Sequence, residues 1–405
     1  MKCGLLGQKL SHSYSPQIHH DLADYEYVLY EKEPQDVESF IRTGDWHGIN
    51  VTIPYKKTVI PFCDELTPLA REIGSVNTLL RREDGSILGD NTDAYGFEAL
   101  LKETGFSPSG KKALVLGSGG ASATVCACLR MQGADVLTVS RTGITNYENV
   151  FQHVDASLVV NTTPVGMYPN NGMQALNLQR FQNLEAVLDV IYNPARTALL
   201  LQAEKLGIPC EGGLRMLVAQ GVRASEIFLG KLHPASALEE ILHRLQIEMR
   251  NIILIGMPGS GKSTIAQMLS EKLNRTVVEL DKEVEKKSGK SIPDIFSEQG
   301  EEGFRRLETQ VIEEFGKRSG LILSTGGGCV TREENYPFLH QNGVIVRITR
   351  DLSKLTRDGR PLSQNADLAE MASARDPFYS RFADITVSND GEPQETVMAI
   401  MEALK

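Results

Sequence analysis

Two glycine-rich segments carry chemistry that can be read directly from residue type and spacing. Gly256-Met257-Pro258-Gly259-Ser260-Gly261-Lys262-Ser263-Thr264 fits G-x-x-x-x-G-K-[ST]. In that pattern backbone N–H groups wrap phosphates, the lysine reaches the β and γ oxygens, and the hydroxyl after it takes Mg²⁺. Lys262 and Ser263 fill the last two roles, and Gly259, Ser260, Gly261 and Thr264 complete an ATP-type loop. The second segment is Gly117-Ser118-Gly119-Gly120-Ala121-Ser122, between the apolar run Ala113 to Leu116 and the helix-compatible stretch Ala123 to Met131. Strand, glycine turn and helix in this order set a pyrophosphate against free N–H groups at a helix N-terminus. The next apolar run ends in Ser140-Arg141-Thr142, without the acidic residue that would hold a ribose 2'-hydroxyl, so a 2'-phosphate and hence NADP(H) is expected.

The elements that must position these turns alternate in an α/β pattern. Strands are expected at Ile49 to Ile53, Ala113 to Leu116, Val136 to Val139, Leu158 to Val160 and Ala186 to Val190. A second series follows at Asn251 to Ile255, Thr276 to Glu279, Gly320 to Ser324 and Val344 to Ile348. Two nucleotide turns imply two α/β units, with a seam near Gln246 to Arg250, after the amphipathic stretch Ala235 to Leu245. The seam has no Gly/Ser/Pro-rich linker, so abutting domains are expected.

Composition bounds the function. The 405 residues carry 42 Lys plus Arg against 52 Asp plus Glu, a net charge of -10. That balance argues against nonspecific nucleic-acid binding. No run approaches the length of a membrane helix, and the first residues lose apolar character too soon for a signal peptide. The six cysteines are scattered, which fits thiols in a reducing cytoplasm. His19 and His20 have no Cys/His cluster to join and read as helix-surface residues.

Further segments reveal a family. Ser11 to Pro16, Asn50 to Lys56, Gly74 to Thr78, Gly89 to Gly96, Asn161 to Met167, Asp189 to Pro194 and Gly213 to Gln220 closely resemble, in order, the motifs of shikimate dehydrogenase. The resemblance covers residues 1–246. It implies a bilobed enzyme: a substrate lobe of residues 1–101 plus 222–246 and a Rossmann-like NADP lobe of residues 102–221. Reducing a ring ketone requires a hydride from the nicotinamide and a proton donor at the developing alkoxide, and a lysine beside an aspartate can hold that proton. By resemblance Lys56 and Asp93 are the catalytic pair. Ser13, Ser15, Thr52, Asn77, Asp93, Tyr192 and Gln220 would line the substrate site. Gly117, Ser118, Gly119, Gly120, Ala121, Ser140, Arg141, Thr142, Val190 and Gly213 would hold NADP. The chain departs from the family in Gly143 to Asn146, which offers no second basic group for the phosphate.

Residues 250–405 resemble shikimate kinase, through the phosphate loop, Glu279-Leu280-Asp281, Gly300 to Glu308, Ser324 to Gly328, Arg360-Pro361-Leu362 and Arg375 to Tyr379. This implies a P-loop NTPase fold with a parallel sheet. Asp281 would hold and polarise the acceptor hydroxyl, while Arg305 and Arg375 grip a carboxylate by forked bonds. Gly326, Gly327 and Gly328 would let backbone amides approach the ring, and Arg360 would close on ATP from a lid, with Arg357 a weaker candidate. Glu279 stands where the family usually has aspartate, and Arg381 is an alternative to Arg375. The two resemblances together imply a bifunctional enzyme: NADPH-dependent reduction of 3-dehydroshikimate to shikimate, then phosphorylation of shikimate with Mg·ATP to shikimate 3-phosphate. A relaxed quinate/shikimate dehydrogenase joined to another small-alcohol kinase, and a sensor without turnover, are the rival readings.

Overall fold

The computed structural model describes residues 1–10, 13–355 and 368–404. The chain divides into two compact units, Met1–Arg244 and Leu245–Lys405.

The first unit holds two sheets. One is six-stranded and mixed, in the order β2-β1-β3-β5-β6-β4, from β1 (Lys2–Gly7), β2 (Glu26–Glu31), β3 (Gly48–Val51), β4 (Glu65–Leu66), β5 (Thr78–Arg81) and β6 (Ile87–Asp90). With it go α1 (Ser15–Leu22), α2 (Val37–Thr43), α3 (Pro68–Ile73) and α4 (Asp93–Glu103). Its core gathers Leu6, Val37, Ile41, Trp46, Ile49 and Leu79. Local signals set the helix bounds: Thr67 caps α3 by accepting from the Ala70 N–H at 3.2 Å, and Gly74 ends it at φ 67°.

The second sheet is all parallel, ordered β11-β10-β9-β7-β8. Its strands are β7 (Lys112–Leu116), β8 (Asp135–Val139), β9 (Leu158–Asn161), β10 (Ala186–Asp189) and β11 (Cys210–Glu211), with α5 (Gly120–Met131) and α6 (Ala198–Lys205). Along β7, Ala113 and Val115 enter one core and Leu114 and Leu116 another. Both faces of the sheet are therefore covered, which is why β7 reads as an uninterrupted apolar run. Helix α7 (Leu214–Leu229) belongs to both lobes: Met216 packs with the core of the second sheet, and Phe228 with Cys3 and Tyr25 beside the first. The division between the units falls inside α8 (Ala237–Met249).

The second unit is a five-stranded parallel sheet, β13-β14-β12-β15-β16. It comprises β12 (Asn251–Ile255), β13 (Val277–Glu279), β14 (Ile322–Ser324), β15 (Gly343–Thr349) and β16 (Ile385–Ser388). Its helices are α9 (Lys262–Leu273), α10 (Leu280–Ser288), α11 (Ile292–Gly316), α12 (Asn335–His340), α13 (Leu368–Phe382) and α14 (Pro393–Ala403). Ile253 and Ile255 of β12 face one core, Ile252 and Leu254 the other.

His19 is not a surface residue: α1 turns Ile18 and His19 inward, both 0% exposed. The imidazole stacks on Tyr27 with ring centroids 4.0 Å apart, and its Nδ1 shares a 2.6 Å hydrogen bond with the Tyr25 hydroxyl. Burial pushes its pKa down to about 3. His20, on the outer face of the same helix, is exposed.

Candidate functional site

In the first unit the polar motifs converge on a cavity of about 610 Å³. Ser13 and Ser15 arrive from the start of α1, Thr52 and Lys56 from the segment after β3, and Asn77 from the position before β5. Asp93 opens α4, Tyr192 follows β10, and Gln220 lies within α7; all eight line the wall. Asp93 is the first residue of α4, after Thr92 at the cap position. Its carboxylate is fixed from both sides: Lys56 Nζ donates to Oδ2 at 2.5 Å and Asn77 Nδ2 donates to Oδ1 at 2.9 Å. The Asn77 amide is oriented in turn by the Thr92 N–H, which donates to its Oδ1 at 2.6 Å. Asn77 is 2% and Asp93 6% exposed. An ammonium held on a shielded, hydrogen-bonded carboxylate at the cavity wall can donate a proton in a fixed direction.

The wall also contains residues that motif reading passed over. Asn50 donates to Thr78 Oγ1 at 3.3 Å and accepts from the Tyr27 hydroxyl at 2.8 Å; Met167, Met216 and Leu217 supply apolar surface. Asn50 and Met167 sit inside recognised motifs, so the signal was present. Met216 and Leu217 also fall inside a recognised motif, Gly213 to Gln220, but as helix apolar residues their type alone does not mark them as site residues.

The nucleotide-type turn adjoins this cavity. Ala121, Val190 and Gly213 line it, whereas Gly117, Ser118, Gly119, Gly120, Ser140, Arg141 and Thr142 do not. The two turns nonetheless lie side by side, because β7 and β8 pair through Leu116 and Val139 and the Gly117 N–H donates to Val139 O at 2.8 Å. Among the described residues no side chain caps the start of α5, so the first N–H groups of that helix remain for an anion. Exposed Arg141 beside them supplies positive charge. These groups fit a dinucleotide with an extra phosphate. Asp189, at the end of β10, is fully buried and accepts from Asn161 Nδ2, the Ile191 N–H and Thr197 Oγ1. Burial pushes its carboxyl up to about 7.

The second unit has its own cavity, of about 440 Å³. Gly259, Gly261, Lys262, Ser263 and Thr264 of the loop meet Asp281, Arg305, Gly326, Gly327, Gly328 and Arg375 there. The loop needs glycine for its path: Gly256, Gly259 and Gly261 lie at φ 146°, 84° and 96°. Lys262 Nζ donates to the carbonyls of Gly256 and Met257 at 2.9 and 3.0 Å. Ser260 does not reach the wall; it is buried, and its carbonyl accepts from Asn389 Nδ2 at 2.8 Å. Arg360 and Arg357 lie outside the described residues.

Arg305 is buried against Glu308, donating to Oε2 at 2.6 Å, and also reaches Glu301 at 3.2 Å. Burial opposes the guanidinium charge, but the two carboxylates outweigh it and hold its pKa above the usual value. Burial raises the Glu308 carboxyl, with Arg305 working the other way. Arg375 lines the cavity and donates to Gly327 O at 3.2 Å, while Arg381 is exposed, absent from the wall and paired with Glu333. Glu279 has the reach its position requires, accepting from Ser263 Oγ at 2.9 Å. Among the described residues no cluster of three or more His, Cys, Asp or Glu could hold a metal by itself. One hydroxyl and nearby carboxylates still suit Mg²⁺, which keeps waters and substrate phosphates in its shell.

Comparison with known proteins agrees with both halves. Residues 5–79 match the family described as shikimate dehydrogenase substrate binding domain, and residues 258–405 match shikimate kinase. A shikimate dehydrogenase (NADP(+)) from Methanopyrus kandleri is 36% identical over 270 residues, 58% of this chain and 93% of the relative. The chain belongs to the shikimate dehydrogenase family. A shikimate kinase domain follows in the same chain. Among solved structures, shikimate dehydrogenase 1 from Peptoclostridium difficile is 33% identical with a TM-score of 0.57, covering 61% of this chain and 98% of its own. A chorismate mutase/shikimate 5-dehydrogenase fusion from Clostridium acetobutylicum is 32% identical, TM-score 0.57, covering 60% and 97%. The Thermus thermophilus shikimate 5-dehydrogenase, solved with NADP(H) and shikimate, is 31% identical, TM-score 0.53, covering 60% and 99%.

Proposed function

We propose that this dehydrogenase and kinase act in sequence: the first unit reduces 3-dehydroshikimate to shikimate, and the second phosphorylates shikimate to shikimate 3-phosphate. The observation that carries this reading is that each unit gathers reactive groups from separate motifs into a cavity of its own. Lys56, Asp93 and Asn77 meet in one, and Lys262, Asp281, Arg305 and Arg375 in the other. The product of one reaction is the substrate of the other.

NADPH supplies the hydride when bound. Lys56 delivers a proton to the oxygen of the reduced ketone, and Asp93 keeps the ammonium aimed by its 2.5 Å bond. Ser13, Ser15, Thr52, Asn77, Tyr192 and Gln220 bind the hydroxyls and carboxylate. Arg141, with Ser140 and Thr142, selects the 2'-phosphate, and the N–H groups at the start of α5 take the pyrophosphate. In the kinase, Arg305 and Arg375 hold the carboxylate of shikimate while Asp281 accepts the proton of the attacking hydroxyl. Lys262 and the loop amides would hold ATP, and Ser263 with Glu279 would hold Mg²⁺, which would offset the phosphate charge. The enzyme works in a reducing cytoplasm, consistent with six unpaired cysteines.

The test is a coupled assay. 3-Dehydroshikimate and NADPH are mixed with the full chain and nicotinamide absorbance is followed; Mg·ATP is then added and shikimate 3-phosphate sought. Loss of absorbance followed by phosphate ester supports the proposal. Comparable activity on quinate with NAD would favour the relaxed dehydrogenase, and ligand binding without turnover would favour a sensor.

A further inference from the structure

The residue after β15 is a cation that no recognised motif accounts for. Arg350 lines the same cavity as Gly261 and Lys262. A Cβ built on Gly261 would lie 3.8 Å from its Nη1, so the guanidinium lies against the phosphate loop just before the lysine. Its Nε is buried without a partner, and among the described residues it has no hydrogen bond or ion pair. Its polar neighbours are already engaged. Asn389 donates to Ser260 O and accepts from Thr396 Oγ1 at 2.9 Å. Asp390, close enough to feel the charge of Arg350, accepts instead from the Asp351 N–H at 2.6 Å and Ser388 Oγ at 2.8 Å.

Arginines in protein interiors and clefts are ordinarily matched by carboxylates, because a shielded donor without an acceptor is costly. Arg305, in the same cavity, shows that arrangement with Glu308. Arg350 lacks it, although the site is rich in carboxylates. The acceptor that would complete Arg350 is an anion brought in by a ligand, and the loop at its side binds phosphates. We infer that Arg350 donates to phosphate oxygens of the bound nucleotide, as a second cation beside Lys262. This rests on the kinase reading only in naming ATP as that nucleotide.

The experiment uses the full chain and its Arg350→Gln variant. ATP and shikimate are varied separately in the kinase assay, and ADP binding is measured by calorimetry. Loss of a charge-assisted bond predicts that KM for ATP and Kd for ADP each rise about tenfold or more, with KM for shikimate unchanged. Unchanged values for both nucleotides overturn the inference. So does an equal rise in KM for shikimate, which would mark a structural role. Should the natural chain fail to phosphorylate shikimate, the kinase reading falls, and the ADP titration still decides the role of Arg350.

Discussion

His19 offers a quantitative check on the packing of the first unit. Its pKa falls from an ordinary 6.5 to about 3 because burial disfavours the charged ring. Between those values the unfolded chain binds a proton that the folded chain does not, so stability falls as pH falls. The contribution is fully present above about 6.5 and is lost progressively as pH drops toward about 3. The slope approaches about 1.4 kcal/mol per pH unit, or about 2.7 kcal/mol lost by about pH 4.5. In His19→Phe the ring can still stack on Tyr27 and Phe228, whereas the bond to Tyr25 disappears. The variant starts less stable near neutrality, and its stability declines less steeply on acidification. Urea unfolding is followed by tryptophan fluorescence, which reports on the first unit alone because Trp46 is the single tryptophan and is buried in the core of the mixed sheet. The difference between the two proteins isolates His19 from the carboxylates that titrate in both. Parallel stability curves between about pH 6.5 and about pH 4.5 would refute the reasoning.

The remaining expectations concern the two sites. Lys56→Ala removes the proposed proton donor and should lower reduction by roughly 10²–10⁴-fold while leaving phosphorylation intact; Lys262→Ala should do the reverse, and loss of both activities in a folded single variant would contradict independent sites. Asn77→Ala strips Asp93 of one bond and leaves the Thr92 N–H without its acceptor. It should cost about 1–3 kcal/mol in stability and lower kcat for reduction more than it raises KM, as steady-state kinetics and urea unfolding can check. Gly328→Ala places a Cβ on the guanidinium of Arg305, which is boxed in by Glu308. KM for shikimate in the kinase assay should rise, with KM for ATP and the reductase rate unchanged.

The sequence by itself determined what is local. Phosphate loops need glycines and a lysine at fixed spacing, because their geometry is made by consecutive residues. The strands β7 to β10 and β12 to β15 were legible because both faces of a parallel sheet are covered, leaving short, largely apolar runs. By contrast β2, Glu-Tyr-Val-Leu-Tyr-Glu with exposed ends, and β4, only Glu65–Leu66, give no such signal. The tertiary structure alone decided what depends on distant neighbours. It placed His19 in the interior against Tyr27 and Phe228, put Arg375 rather than Arg381 at the cavity, and withdrew Ser260 from the wall. It also joined Arg305 to Glu308 and left Arg350 unmatched. A side chain's type states which bonds it can form; which partner lies within about 3 Å of it is set by how separate strands and helices pack.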